Sequence, residues 1–155
     1  MLTQAPRGTR DIFGAEIKKW QEVEAKIREI CENAGIEEIR TPIFEDSELF
    51  HRSVGETSDI VSKETYDFKD RGERNLTLRP EGTAGVVRSF IENKMYGDVN
   101  QPKKFYYAGT MYRYERPQAG RYRELTQIGV EVLGSDSEII DAEVISLAYR
   151  LLEEM

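Results

Sequence analysis

The residues from Phe105 to Gly134, FYYAGTMYRYERPQAGRYRELTQIGVEVLG, restrict the fold of this chain more than any other stretch. They read as strand, basic turn, strand. Successive strand residues point to opposite faces, so Tyr112 and Tyr114 fall on one side and Arg113 and Glu115 on the other. In the second strand Ile128, Val130 and Val132 share a face suited to a core. Gln127, Gly129 and Glu131 share the opposite face, where a buried apolar sheet would not place them. That face suits a polar ligand.

The joining segment RPQAGRY carries Arg116 and Arg121, with Pro117 and Gly120 setting the turn and Arg123 just beyond it. With Arg113, four guanidiniums lie within eleven residues. A planar guanidinium gives bidentate, charge-assisted hydrogen bonds to phosphate oxygens, so this density suits a polyanion. An ordinary charged surface hairpin is the plain alternative, and the paired polar face weighs against it.

A second informative place is Arg79-Pro80-Glu81-Gly82-Thr83, which leads into a helix with Val86, Val87, Phe90, Ile91 and Met95 as its apolar positions. Pro80 and Gly82 bend the chain there. On local grounds Thr83 reads as the helix N-cap and Glu81 as a carboxylate favoured by the helix dipole. A capped junction is rigid, and a rigid junction is able to position a ligand.

These residues carry a resemblance. YRYERPQAGRYRELTQIGVEVLG is similar to motif 2 of the class II aminoacyl-tRNA synthetases, in the form found in histidyl-tRNA synthetases. PRGTRD at Pro6 to Asp11 resembles that family's amino-terminal signature, and LTLRPEGTAGVVR at Leu76 to Arg88 resembles its histidine-binding segment. The match runs in order along nearly the whole chain. It implies an α+β fold, an antiparallel sheet flanked by helices, of which residues 1–155 are the amino-terminal portion of the catalytic domain.

The implied reaction is activation of L-histidine by ATP, with Mg2+, to histidyl-adenylate for transfer to tRNA(His). The resemblance places Arg113 at the α-phosphate as the catalytic residue, Arg121 at the distal phosphates and Glu115 at the nucleotide end. It places Glu81, Thr83, Gln127 and Glu131 around the histidine, and assigns no protein-held metal. Motif 3, the later histidine-specific segment and the anticodon-binding domain are not among these residues. Reduced or undetectable activity is therefore expected of them alone.

Two other readings compete. One is the histidine-sensing regulatory subunit of ATP phosphoribosyltransferase, a relative without the ligase activity, although the intact RYERPQAGRYR suits an ATP clamp rather than a sensor. The other is a dimerisation module built on the first helix and the strand after it.

That helix is predicted from Ala15 to Ala34. Ile17, Trp20, Val23, Ile27, Ile30, Cys31 and Ala34 recur at three- and four-residue steps, and Gly35 ends it as a C′ residue. Glu38 to Phe44, EIRTPIF, follows as one strand, confined to an edge or a contact by Pro42, which donates no ladder hydrogen bond. Helix and strand together resemble motif 1, which in the family forms the homodimer interface. A surface loop is expected over Ser47 to Lys63 after a short helical piece, then a strand pair, Thr65 to Phe68 and Leu76 to Arg79, around DRGERN. Ser135 and Glu138 are spaced as a capping box for a last helix whose apolar side is Ile139, Ala142, Ile145, Ala148, Leu151 and Leu152. The abrupt end at LLEEM suggests a longer protein.

Composition excludes several classes. Of the 155 residues, 39% are hydrophobic and 33% charged, which suits one soluble, globular domain. No apolar run approaches a membrane span and no signal core opens the chain, so a cytoplasmic location is expected. A single cysteine, Cys31, forms no internal disulfide and reads as a buried thiol; the single histidine, His51, reads as structural or surface. The net charge of −7 confines any RNA contact to a local patch. Neither a dinucleotide-binding glycine fingerprint nor a Walker sequence is present.

Overall fold

Pro42 divides what the sequence suggests as a single strand. In a computed structural model of the chain, which describes residues 3–53, 64–116 and 120–155, the ends of the segment from Glu38 to Phe44 fall in two short strands and residues 39–43 lie in neither. β1 (Glu37–Glu38) pairs in parallel with β5 (Lys103–Tyr112), and β2 (Phe44–Asp46) pairs antiparallel with β4 (Asn75–Leu78). Backbone bonds are made on either side of the proline, by Ile39 N–H to the Tyr106 carbonyl and by Arg79 N–H to the Ile43 carbonyl, both at 2.9 Å. Proline has no N–H with which to continue a ladder. Both pieces do lie at sheet edges, in the orders β1-β5-β6 and β2-β4-β3, with β3 at Tyr66–Lys69 and β6 at Glu124–Leu133.

The remaining elements are α1 (Ala15–Asn33), α2 (Ser47–Ser53), α3 (Thr83–Glu92), a 3-10 turn at Met95–Gly97 and α4 (Glu138–Glu153). Helices interleaved with a mixed and an antiparallel sheet make the class α+β. Met95, expected as a core position of α3, lies beyond its end; Lys94, with φ 54°, breaks the helix before it. The chain gathers into two compact units, one of Met1–Asp11, Thr41–Ser89 and Gly109–Gln127, the other of Ile12–Arg40, Phe90–Ala108 and Ile128–Met155.

The first unit contains the β2-β4-β3 sheet, whose central strand buries Thr77 completely. Its hydroxyl meets Ser47 Oγ at 2.8 Å and also bonds Asp67, so the buried polar group is satisfied. α2 adds Phe50, only 1% exposed. His51 is half-exposed, with Nε2 4.0 Å from Asp67, in keeping with a surface role. The surface loop expected before Lys63 lies, from residue 54 onward, outside the described residues. Arg88 of α3 donates twice to Glu45 Oε1, at 2.8 and 2.9 Å, tying the helix to β2.

The second unit has its core where α1 was expected to supply one. Ile27, Ile30 and Cys31 cluster with Ile36, Tyr106, Leu147 and Leu151, and Val23, Ala34 and Val130 pack against them. Cys31 is fully buried, and burial pushes its thiol pKa up. Gly35, with φ +70°, adopts the left-handed conformation that ends α1.

The last helix differs from expectation in which side it buries. Leu147 and Leu151 are buried and Ile140 and Val144 are half-buried, whereas Ile139, Ile145 and Leu152 are at least 70% exposed. This sequence carries two apolar stripes, and periodicity alone cannot rank them. The capping box is also absent. Ser137 is the N-cap without a side-chain bond, and Ser135 Oγ accepts instead from Ser137 N–H at 3.2 Å.

Candidate functional site

β5 and β6 run antiparallel, because Arg113 N–H donates to the Arg123 carbonyl at one end while Tyr107 lies against Gly129 farther along. The predicted hairpin therefore forms. Residues 117–119 of its turn lie outside the described part, and Gly120 follows with φ +79°.

In the first unit the guanidinium-bearing residues divide by role. Arg113 Nε donates to the Pro80 carbonyl at 2.9 Å, which joins the hairpin to the turn before α3. Its Nη1 stands 3.9 Å from Glu115 Oε1, and Arg121 Nη1 stands 3.6 Å from Glu115 Oε2. Glu115 thus sits between two cations at ion-pair separations too long for hydrogen bonds, so both guanidinium forks keep donors for another acceptor. Arg121 is the more exposed of the pair, its side chain at 64% against 28% for Arg113.

Arg123 is used internally. Its guanidinium carbon lies 4.0 Å from the centre of the Tyr114 ring and its Nε donates to the Glu115 carbonyl at 3.2 Å. Its backbone N–H donates to the Gly8 carbonyl at 2.7 Å. Gly8 has φ +85°, and a Cβ there would clash with the Arg123 stem. The PRGTRD segment, which reads locally as an irregular leader, is thereby paired to the hairpin just beyond its turn. Arg10 adds a second contact, 5.3 Å from the centre of the Tyr122 ring. Only the family resemblance marks this segment in the sequence.

The turn before α3 is capped differently from expectation. Glu81, not Thr83, supplies the acceptor: its carboxylate accepts from the N–H of Thr83 at 2.5 Å and of Ala84 at 2.9 Å. Thr83 is the first residue of the helix. Because Glu81 precedes the helix by two positions, its side chain reaches the first amide donors that have no intrahelical acceptor. Pro80 and Gly82 are buried beside it.

Gln127 closes the first unit's part of β6. It is half-buried, and its Oε1 is buried without a donor among the described residues. An amide oxygen so placed is costly unless something donates to it. In the second unit, Gly129 and Glu131 continue the alternation. Tyr107 covers Gly129, and its hydroxyl stands 3.4 Å from Glu131 Oε1. Of the apolar partners on this strand, Val130 joins the core while Ile128 is 37% exposed, so the parity of the strand is as expected but its burial is partial.

The sequence-predicted residues Arg113, Glu115 and Arg121 are therefore brought together, and Arg113 is bonded to the turn that carries Glu81 and Thr83. Gln127 shares their unit, and Glu131 belongs to the other. Among the described residues no cluster of three or more histidine, cysteine or acidic side chains could hold a metal ion.

A family model for histidyl-tRNA synthetase matches residues 8–155. The chain belongs to the histidyl-tRNA synthetase family. Among curated members it is 63% identical to the histidine–tRNA ligase of Anoxybacillus flavithermus, with 98% of this chain and 37% of that protein covered. It is 60% identical to histidine–tRNA ligase 2 of Bacillus cereus strain ATCC 10987, with 100% and 37% covered. The chain thus spans 37% of the length of these histidyl-tRNA synthetase relatives.

Among solved structures, apo histidyl-tRNA synthetase of S. aureus superposes with a TM-score of 0.83 at 44% identity, over 97% of this chain and 34% of that one. A protein from Bacillus halodurans described as an ATP phosphoribosyltransferase regulatory subunit/histidyl-tRNA synthetase gives 0.81 at 26% identity, over 98% and 38%. The fold is accordingly that of part of a class II synthetase core, as the resemblance implies.

Proposed function

We propose that these residues are the amino-terminal part of the catalytic domain of a histidine–tRNA ligase, the two units belonging to one domain, and that they supply motifs 1 and 2 of its active site. The observation that carries this reading is the Arg113–Pro80 hydrogen bond, which couples a phosphate-binding side chain to the turn that presents Glu81 and Thr83. A reaction that joins an amino acid to a nucleotide needs such a coupling. The sensor reading is less well supported, because the ligases stand at 60% and 63% identity and the protein described partly as a regulatory subunit at 26%.

In the proposed reaction a carboxylate oxygen of histidine attacks the α-phosphorus of ATP. The bond from that phosphorus to the bridging oxygen breaks, pyrophosphate leaves with its electron pair, and histidyl-adenylate is passed to the terminal ribose of tRNA(His). A carboxylate is already a nucleophile at neutral pH, so no general base is required. Catalysis rests on alignment and on cations placed where charge develops.

Arg113 holds the α-phosphate and Arg121 the distal phosphates, while Glu115 keeps both guanidiniums oriented toward the nucleotide. Glu81, Thr83, Gln127 and Glu131 read the histidine, the carboxylates meeting its ammonium group and ring N–H. Magnesium enters as part of the nucleotide substrate, MgATP. The motif 1 region, α1 with β1 and β2, is the proposed homodimer contact and the cytoplasm the proposed location. No described helix is long and apolar enough to cross a membrane.

Histidine-dependent exchange of pyrophosphate into ATP, measured on the full-length protein that contains these residues, tests the reading. Exchange that depends on histidine and disappears in Arg113→Ala is the expected result. Exchange unaffected by Arg113→Ala, or no exchange with any amino acid, overturns it.

A further inference from the structure

Arg79 stands immediately before Pro80 and Glu81 and is assigned no role by the family resemblance. Its guanidinium serves no carboxylate among the described residues. Nε donates to the Thr110 carbonyl at 2.9 Å, and Nη1 donates to the Thr41 carbonyl at 2.9 Å and its hydroxyl at 3.3 Å. The backbone of the same residue is used on both sides. Its N–H donates to the Ile43 carbonyl and its carbonyl accepts from Tyr112 N–H, each at 2.9 Å.

One residue thereby joins three segments: the chain entering β2, the end of β5 that leads to Arg113, and the turn that leads to Glu81. Two glycines make room for it. A Cβ on Gly109 would stand 2.8 Å from Arg79 Nη2, and a Cβ on Gly85 would stand 3.0 Å from the Thr41 hydroxyl that accepts from Arg79. Gly109 lies in the strand one residue before Thr110, where a larger side chain would occupy the space of the guanidinium. This glycine therefore has a steric reason independent of backbone conformation.

We propose that Arg79 is a positioning residue for adenylation, its guanidinium cradled by Gly109 and clamped to Thr110 and Thr41 so that Arg113 and Glu81 are held at the spacing the reaction requires. The inference rests on the proposed function above. It follows from the bonding pattern: Pro80 accepts from Arg113 Nε and is covalently joined to Arg79, while the Arg79 side chain grips the strand that delivers Arg113. Without the clamp, the turn and the strand remain joined by backbone bonds but lose the lock that fixes their relative position. Lysine cannot substitute, because one ammonium on a flexible stem does not reproduce the planar fork that reaches both carbonyls.

The test uses the full-length enzyme and pyrophosphate exchange normalised to folded protein, with Arg79→Ala, Arg79→Lys, Gly109→Ala and the Arg79→Ala/Gly109→Ala pair. A displacement of reacting groups by an ångström can cost about a hundredfold in rate. Arg79→Ala is therefore expected to lower kcat by at least about tenfold, with the KM values for ATP and histidine each changed by less than about threefold, and Arg79→Lys not to restore it. Gly109→Ala is expected to lower kcat in the parent and to have little further effect once Arg79 is alanine, since both act on one contact.

An unchanged kcat in Arg79→Ala, full rescue by lysine, or independent multiplication of the two losses overturns the proposal. Should the unsubstituted enzyme show no histidine-dependent exchange, the functional reading fails by itself. The crystal structure of Arg79→Ala then decides the inference: an Arg113–Pro80 bond that is lost supports positioning, and one that is kept overturns it.

Discussion

The Glu81 carboxylate accepts hydrogen bonds from the backbone N–H groups of both Thr83 and Ala84, and so closes the amino end of α3 from a position outside the helix. The same carboxylate is proposed to meet the histidine. Removing it should therefore act on stability and on substrate binding together. Loss of a capping acceptor costs about 1 kcal/mol, or about 2–4 °C in Tm for a chain of this size. Glu81→Ala is expected to show that fall in thermal denaturation together with a raised KM for histidine. Glu81→Gln, which keeps an acceptor oxygen but not the charge, should recover most of the Tm and little of the binding. Equal recovery of both would separate Glu81 from the substrate.

Tyr107 and Gly129 offer a steric test. The phenol ring occupies the space in which a side chain at residue 129 would begin, with Cζ and Oη the atoms nearest to it. Gly129→Ala is expected to cost about 1–3 kcal/mol, the usual penalty for overfilling a packed site. In a Tyr107→Ala background the same substitution should cost much less. Chemical denaturation of the four proteins of the cycle measures the coupling, and strictly additive losses would refute the contact.

Asp70 gives a prediction about acid. In the turn between β3 and β4 its carboxylate accepts from Arg74 Nε at 2.7 Å, from Arg74 N–H at 3.0 Å and from Gly72 N–H at 2.8 Å. The Arg74 side-chain bond, followed by the backbone bonds, holds its pKa below the ordinary carboxylate value. A depressed folded pKa means that the unfolded chain binds the proton first as pH falls. The stabilisation is therefore complete above the unfolded carboxylate pKa and is lost as pH falls through the folded one. Denaturation midpoints for the parent and Asp70→Asn should keep their separation from pH 7 down to about 4, the ordinary carboxylate range, and converge as the pH falls below it. A gap that stays constant would show that the carboxylate's charge contributes nothing there.

How far these features could be read in advance depended on whether side-chain pattern or backbone geometry produced them. The stripe through Ile27, Ile30 and Cys31 was legible because α1 has one apolar side and the core lies on it. In α4 the sequence offers Ile139, Ile145 and Leu152 as readily as Ile140, Val144, Leu147 and Leu151, and only tertiary packing selects the second set. The hairpin and the shared face of Arg113 and Glu115 follow from turn chemistry and strand parity, whereas the place of Arg121 beside them is implied only by the family resemblance. The clamp made by Arg79 follows from none of these, because its strongest acceptors are main-chain carbonyls at residues 41 and 110, which leave no mark on side-chain composition. Glu81 reads as a carboxylate favoured by the helix dipole rather than as the cap for a related reason: a cap is defined by where the helix starts, and side-chain pattern does not fix that boundary to the residue.

Gln127 separates function from stability most sharply. Its Oε1 is buried in the first unit with no donor among the described residues, and an oxygen so placed is costly unless something donates to it. A leucine is close in size and has no polar atom to desolvate. Gln127→Leu should leave the thermal stability unchanged or raise it, by up to about 1–3 kcal/mol of relieved desolvation. If the oxygen instead receives a donor from the bound histidine, the same substitution removes that bond and places an apolar group against a polar ligand. The KM for histidine in pyrophosphate exchange is then expected to rise by about tenfold or more, the equivalent of roughly 1.4 kcal/mol at 25 °C, while the KM for ATP changes little. Thermal denaturation and the two KM values, taken on the same preparation, check the split. A fall in Tm with no change in the histidine KM would mean that the amide belongs to the fold rather than to the site.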